Sequence, residues 1–93
     1  MTRAIRFNPA DTVAVVTADI ATGASVEVGD DRILAVDAIP SGHKIATVAI
    51  AAGEHVVKYG QPIGRATVDI ERGQHVHVHN LQSARLPGRA VPA

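Results

Sequence analysis

The sequence predicts a small all-β domain of short strands and many turns, and three observations carry that prediction. Val, Ile and Thr alternate with other residues over short stretches, which is the pattern of half-buried strands. A glycine-centred motif recurs four times at strand-turn-strand junctions. No stretch carries the 3.6-residue apolar stripe of a helix.

In chain order, the alternating stretches are residues 12–18, 31–36, 44–50, 55–59, 65–70 and 74–79. Asn8-Pro9-Ala10-Asp11, ahead of the first, has the composition to open a single helical turn. The recurring motif is an acid or small residue, Ile, two residues, Gly, two residues, then Val or Ile. It reads Asp19-Ile20-Ala21-Thr22-Gly23-Ala24-Ser25-Val26, then Ile39-Pro40-Ser41-Gly42-His43-Lys44-Ile45. It returns as Ala49-Ile50-Ala51-Ala52-Gly53-Glu54-His55-Val56 and as Asp69-Ile70-Glu71-Arg72-Gly73-Gln74-His75-Val76. In each copy the glycine suits a turn needing positive φ, and the flanking Ile and Val anchor the turn in the core. The spacing is too irregular for a solenoid array. Gly60-Gln61-Pro62-Ile63-Gly64 reads as a loop or turn. Residues 1–85 form one domain, and residues 86–93 read as a loose tail.

Bulk properties narrow the function. The 93 residues carry nine Lys and Arg against nine Asp and Glu, so the basic footprint of a nucleic-acid binder is missing. Cysteine is absent, which excludes disulfides, thiolate zinc sites and a cysteine nucleophile. There is no secretory leader pattern and no apolar run long enough to cross a bilayer, so a soluble cytoplasmic protein is expected. With one Phe, one Tyr and no Trp, the core must be built from small aliphatic residues. Marginal stability alone and support from a partner chain are expected.

The chemistry concentrates in Gly73-Gln74-His75-Val76-His77-Val78-His79-Asn80, which holds three of the five histidines at every second position. On a strand, His75, His77 and His79 would line one face. Such imidazoles can bind a metal, carry a proton or hold an anion. Same-face neighbours sit about 6–7 Å apart, so two of them, His75 and His77, could share one metal ion. Gly42-His43-Lys44 offers an imidazole and an ammonium on one turn, with Lys44 suited as a point charge to a carboxylate or sulfonate and His43 to proton donation. Lys58, Tyr59 and Arg65 flank the Gly60–Gly64 loop as a docking or charge-capping element. No Ser-His-Asp ordering, phosphate loop, nucleotide fingerprint or useful carboxylate pair is present.

Three of these motifs, residues 39–45, 57–66 and 73–81, resemble in that order the small N-terminal module of the altronate/galactarate dehydratase family. The resemblance covers about residues 10–85; Val78 stands where the family more often has Thr, and the tail is unlike the family's continuation. It implies a β-clip fold of the SAF type, similar to antifreeze type III and to the C-terminal domain of sialic acid synthase. It also implies the small subunit of a hydro-lyase that dehydrates a sugar acid such as altronate or galactarate, inactive without a large catalytic subunit. A sulfolactate sulfo-lyase small subunit is a related alternative. A SAF-type module that binds a carbohydrate acid or a protein without chemistry is the rival from another class. The site residues expected on this footing are His43 and Lys44 as catalytic groups. His75, His77, His79, Asn80, Lys58 and Arg65 are expected toward a small hydroxy-acid substrate. A divalent metal of the iron or manganese class is expected, held mainly by the large subunit, with His75 and His77 contributing. No nucleic acid or membrane partner is expected, and homo-oligomerisation is possible in isolation.

Overall fold

The computed structural model describes residues 2–83, and they contain no helix. The expected tail at 86–93 lies outside the described residues. Nine short strands form: β1 (Thr2–Ile5), β2 (Val13–Val16), β3 (Ser25–Val28), β4 (Asp31–Leu34), β5 (Lys44–Ala46), β6 (His55–Lys58), β7 (Gln61–Ala66), β8 (His75–Val76) and β9 (Leu81–Ser83). Six of them make one curled sheet in the order β4-β3-β1-β2-β5-β8, and β6-β7-β9 make a second. All pairings are antiparallel except β1 with β3. The all-β expectation holds.

Two apolar clusters fill the interior. One gathers Val16, Ile20, Val26, Ile33, Ile39 and Ile45 among others, and the second is built around Val13, Ile50, Val56, Ile70 and Val76. Alternation along β2 and β5 places these strands between the clusters. Ala14 and Val16 serve the first and Val13 the second, while Ile45 serves the first and Ala46 the second.

The recurring motif is a structural unit. Val16, Ala46 and Ala66 end strands and Ala35 directly follows one, and each lies four residues before an Ile of the motif. Those isoleucines pair through isolated bridges, Ile20 with Ile39 and Ile50 with Ile70. Each motif glycine donates its N–H to one strand-end carbonyl: Gly42 to Val16, Gly23 to Ala35, Gly73 to Ala46 and Gly53 to Ala66, at 2.8–2.9 Å. Strand stretches expected to run to residues 18, 36, 50 and 70 therefore stop earlier. The period-two apolar pattern continues because the Ile is buried, although the chain has left the sheet.

Three local expectations are corrected. Residues 8–11 make a tight turn, closed by Asp11 N–H to Asn8 O at 2.9 Å, with no helical segment. Gln61 to Ala66 is strand β7 and not a loop. Pro62 is tolerated because it precedes the β7–β9 ladder, which starts at Gly64, and lies beside the bulge at Val56/Val57. The histidine strand ends at Val76, and residues 77–80 form a turn.

The β6–β7 hairpin turns on Tyr59 and Gly60, both at positive φ (57° and 71°). The buried Asp11 carboxylate fixes that turn by accepting from Tyr59 N–H (3.1 Å) and Gly60 N–H (2.7 Å). Tyr59 is exposed and stacks on Phe7 with ring centroids 4.3 Å apart. No helix among the described residues is long and apolar enough to cross a membrane.

Gly73 is the tightest of the motif glycines. Its φ is +92°, and a Cβ there would overlap the Leu34 carbonyl oxygen, whereas Gly53 at +87° faces open space. Gly53→Ala is expected to cost about 1–2 kcal/mol for the left-handed backbone alone. Gly73→Ala is expected to cost at least about 2 kcal/mol more, because the β4–β8 approach must open. Urea denaturation of both variants checks the difference; equal losses would contradict this account of Gly73.

Candidate functional site: a histidine cluster beside Lys44

The β5–β8 ladder pairs Lys44 with Val76 and Ile45 with His75. Extending that register by one residue sets His43 opposite His77. Opposed residues of an antiparallel pair present side chains to the same face, so three imidazoles meet at one end of the ladder. His43 Nδ1 and His75 Nε2 are 2.8 Å apart, a hydrogen bond in which one ring donates and the other accepts. The His43 and His77 rings stack with centroids 4.0 Å apart, and those of His75 and His77 lie nearly parallel at 5.6 Å. His79 tilts over His75 at 5.1 Å.

The expected common face of His75, His77 and His79 is thus realised, but by different means. Only His75 lies on a strand; His77 and His79 belong to the turn that follows. Asn80 shapes that turn. Its buried amide accepts from His77 N–H at 3.0 Å and donates to His75 O at 2.8 Å, while its own N–H bonds His77 O. The Asn80 side chain is therefore occupied with backbone. Asp37 holds the other end through a 3.0 Å bond from His75 N–H. Sequence reasoning missed Asp37, and no motif marks it.

Lys44 is half-buried on β5. Burial, and then the charge of Lys58, hold its ammonium below the usual lysine range. Lys58 places its Nζ 5.1 Å from the Tyr59 ring centroid. Arg65 is engaged elsewhere, donating to Gly53 O at 2.8 Å and so bracing the third glycine turn. His43, His75, His77 and His79 come together. Lys44 pairs with Val76 on the alternate face of the ladder and acts on His77 through its charge, as Lys58 does on Lys44. Arg65 serves a different part of the fold.

Two of the imidazoles, His75 and His77, are biased toward the neutral form. Partial burial, then the charges of His79, His43 and His77, push His75 below the ordinary histidine value, with Asp37 opposing. His77 is pushed down by desolvation, then by His43, Lys44 and His79. Neutral rings keep lone pairs free. One nitrogen from each of His43, His75 and His77 lies within 4.8 Å of the others. Donors around one ion at about 2.0–2.1 Å each sit roughly 3–4 Å apart, so small ring rotations would let the three converge. Donor type and spacing both suit a divalent ion of the kind that accepts imidazole.

The fold and this site can now be set beside known proteins. Residues 2–84 match the family described as the altronate/galactarate dehydratase SAF domain. This chain belongs to that family. The SAF domain is 43% identical over 79 residues to altronate dehydratase of Escherichia coli K12, and 41% identical over 86 residues to that of Bacillus subtilis 168. Each match covers 85% of this chain but 16% of the relative, so the SAF domain spans about one-sixth of those enzymes. It is also 46% identical over 56 residues to the alpha subunit of (2R)-sulfolactate sulfo-lyase from Paracoccus pantotrophus, covering 60% of this chain and 84% of that subunit.

The depressed histidines set the pH response. In the unfolded chain His75 and His77 titrate near 6.5; in the folded domain they titrate lower. The unfolded state then binds more protons, so the stability contributed by these neutral rings is full above pH 6.5. It is lost as pH falls through the folded values. Denaturation midpoints measured from pH 8 to 5 should drop on the acid side, and less so in His75→Gln. Equal acid sensitivity in that variant would count against the assignment.

Proposed function

We propose that this SAF domain is the small subunit of a carbon–oxygen lyase, a hydro-lyase that dehydrates a sugar acid such as altronate or galactarate. In this reading it is inactive alone and contributes one wall of a pocket that a large catalytic subunit completes. The supporting observation is the convergence of His43, His75 and His77, with the partly buried Lys44 next to His43 in the chain and acting on His77 through its charge. The match to lyase alpha subunits, covering 84% of one and 52% of another, supports a separately encoded small chain.

β-Elimination from a hydroxy acid removes the proton next to the carboxylate, forms a C=C bond and expels the neighbouring hydroxyl as water. Lys44 is positioned to hold the carboxylate as a point charge. His43 donates the proton that turns the departing hydroxyl into water, and its bond to His75 gives a route for that proton to be replaced. His79 and Lys58 extend the polar wall toward the remaining hydroxyls; Arg65 and Asn80 act through the turns they brace. The base that takes the proton beside the carboxylate is assigned to the large subunit. His75 and His77 would help hold a divalent metal of the iron or manganese class, otherwise held by that subunit. Such an ion supplies Lewis acidity toward a carboxylate or hydroxyl oxygen.

A second reading follows from the sulfo-lyase relative: the same wall would serve an acid whose leaving group is sulfite. Lys44 would then face a carboxylate or a sulfonate.

Co-purification with the companion catalytic chain, followed by kinetics, tests the proposal. His43→Ala and His77→Ala should leave assembly intact and lower turnover by about 10²-fold or more. Unchanged turnover in the assembled variants would reduce this chain to a binding module, and turnover by the isolated 93-residue chain would contradict the subunit role. Sugar-acid against sulfolactate turnover separates the two leaving groups. A substrate carboxylate at Lys44 also removes one cause of the His77 depression. The acid limb of kcat should therefore differ from that of kcat/KM in the wild type and coincide with it in Lys44→Met.

A further inference from the structure

The four glycine turns share one backbone lock but differ at the residue after the glycine: Ala24, His43, Glu54 and Gln74. In every turn that residue donates its N–H to the carbonyl three residues back: Ala24 to Ala21, His43 to Pro40, Glu54 to Ala51 and Gln74 to Glu71. In the third and fourth turns its side chain also folds back over the same span. Glu54 Oε1 accepts from Ala51 N–H at 2.7 Å, and Gln74 Oε1 accepts from Glu71 N–H at 2.6 Å. Ala24 offers no side-chain acceptor in the first turn.

The second turn differs in one respect. Where Ala51 and Glu71 carry an N–H, it has Pro40, which carries none. Its other donors are all engaged. Ser41 N–H goes to Asp19 Oδ1 at 2.8 Å, Gly42 N–H to Val16 O at 2.9 Å, and His43 N–H to Pro40 O at 3.0 Å. Nothing in the turn's backbone is left for the His43 ring to serve. That ring turns outward to His75 and His77.

We propose that Pro40 is the positioning residue of the cluster: by removing the N–H that captures the post-glycine side chain in the third and fourth turns, it releases the His43 imidazole toward His75. The inference deepens the reading of His43 as a working group, yet the ring placement it explains is measurable without any turnover.

The test is histidine-resolved nuclear magnetic resonance on the full chain carrying ¹⁵N-labelled imidazoles. In the wild type, His43 Nδ1 and His75 Nε2 share a hydrogen-bonded proton, and the two rings show mutual Overhauser contacts. Pro40→Ala restores the N–H, and His43 Nδ1 should divide between it and His75. The His43–His75 signals should weaken about two-fold, because two hydrogen bonds of comparable net worth then share the ring. N-methylalanine at position 40, introduced by chemical ligation, again lacks the N–H and should restore the wild-type ring contacts. Unchanged contacts in Pro40→Ala overturn the proposal. Equal loss with alanine and N-methylalanine also overturns it, because the rigidity of the proline ring and not the missing donor would then be responsible. If Pro40→Ala does not fold, Ala51→Pro makes the converse test: its Glu54 carboxylate should leave the turn, and a Glu54 still folded back onto that turn overturns the proposal. Loss of the ring contacts with turnover of the assembled enzyme unchanged would uphold the role of Pro40 while removing His43 from the chemistry.

Discussion

The β5–β8 ladder is the constraint on which the rest depends. It is only two residue pairs long, yet both apolar clusters press on it. Ile45 packs into one and Ala46 with Val76 into the other. A slip of one residue would exchange the faces and bring Lys44 and His75 inward, so the register is fixed by burial on both sides. The same register sets His43 across from His77. The site's geometry is therefore a by-product of core packing, and the histidines need no dedicated scaffold to meet.

Around that ladder the fold repeats one device four times. A glycine N–H closes on a strand-end carbonyl, and a buried Ile pairs with its counterpart across the structure. Because this lock is made of backbone, it places little demand on the side chains that ride on the turns. The residue after the glycine can be Ala, His, Glu or Gln without changing the lock. This is how a core built almost wholly of Val, Ile and Ala carries polar chemistry at its edge. The turns supply the positions, and only local hydrogen-bond accounting decides which side chain stays home and which reaches out.

The sequence revealed the elements that depend on local pattern. The Ile-x-x-Gly turns, the all-β class and the convergence of Gly42-His43-Lys44 with the histidine segment were all legible, the last through family resemblance. Strand length was not, because buried Ile50 and Ile70 extend the alternating pattern past the point where the chain leaves the sheet. The histidine strand was misread for a related reason. Alternation at 75, 77 and 79 looks like a strand, but Asn80 folds back on His75 and His77 and closes a turn whose rings still stack. Strands β1 and β9 escaped notice because Thr2–Ile5 and Leu81–Ser83 are too short to show a period, and of β3 only the start at Ser25-Val26 was marked, by the first glycine motif. Asp11 and Asp37 are invisible as well: their roles are bonds to backbone 48 or 49 and 38 residues away.

Held backbone and adjustable rings are the combination a shared pocket requires. The peptide groups of His43, His75 and His77 are each tied down, through Pro40 and Val16, Asp37 and Asn80. The rings themselves are only half-buried and touch mainly one another. Left alone, His75 and His77 are held toward the neutral form by desolvation and then by the charges around them, Lys44 among them at His77. A metal ion and an anion would pull this balance in opposite directions. The ion selects neutral rings and their lone pairs, whereas the anion pairs with Lys44 and favours imidazolium. A wall that sits between these demands is suited to an elimination, in which an acid's charge must be held while a proton is delivered to its leaving group. It is poorly suited to do this from a domain of this size without a second surface to exclude water, because the strength of each interaction depends on that exclusion.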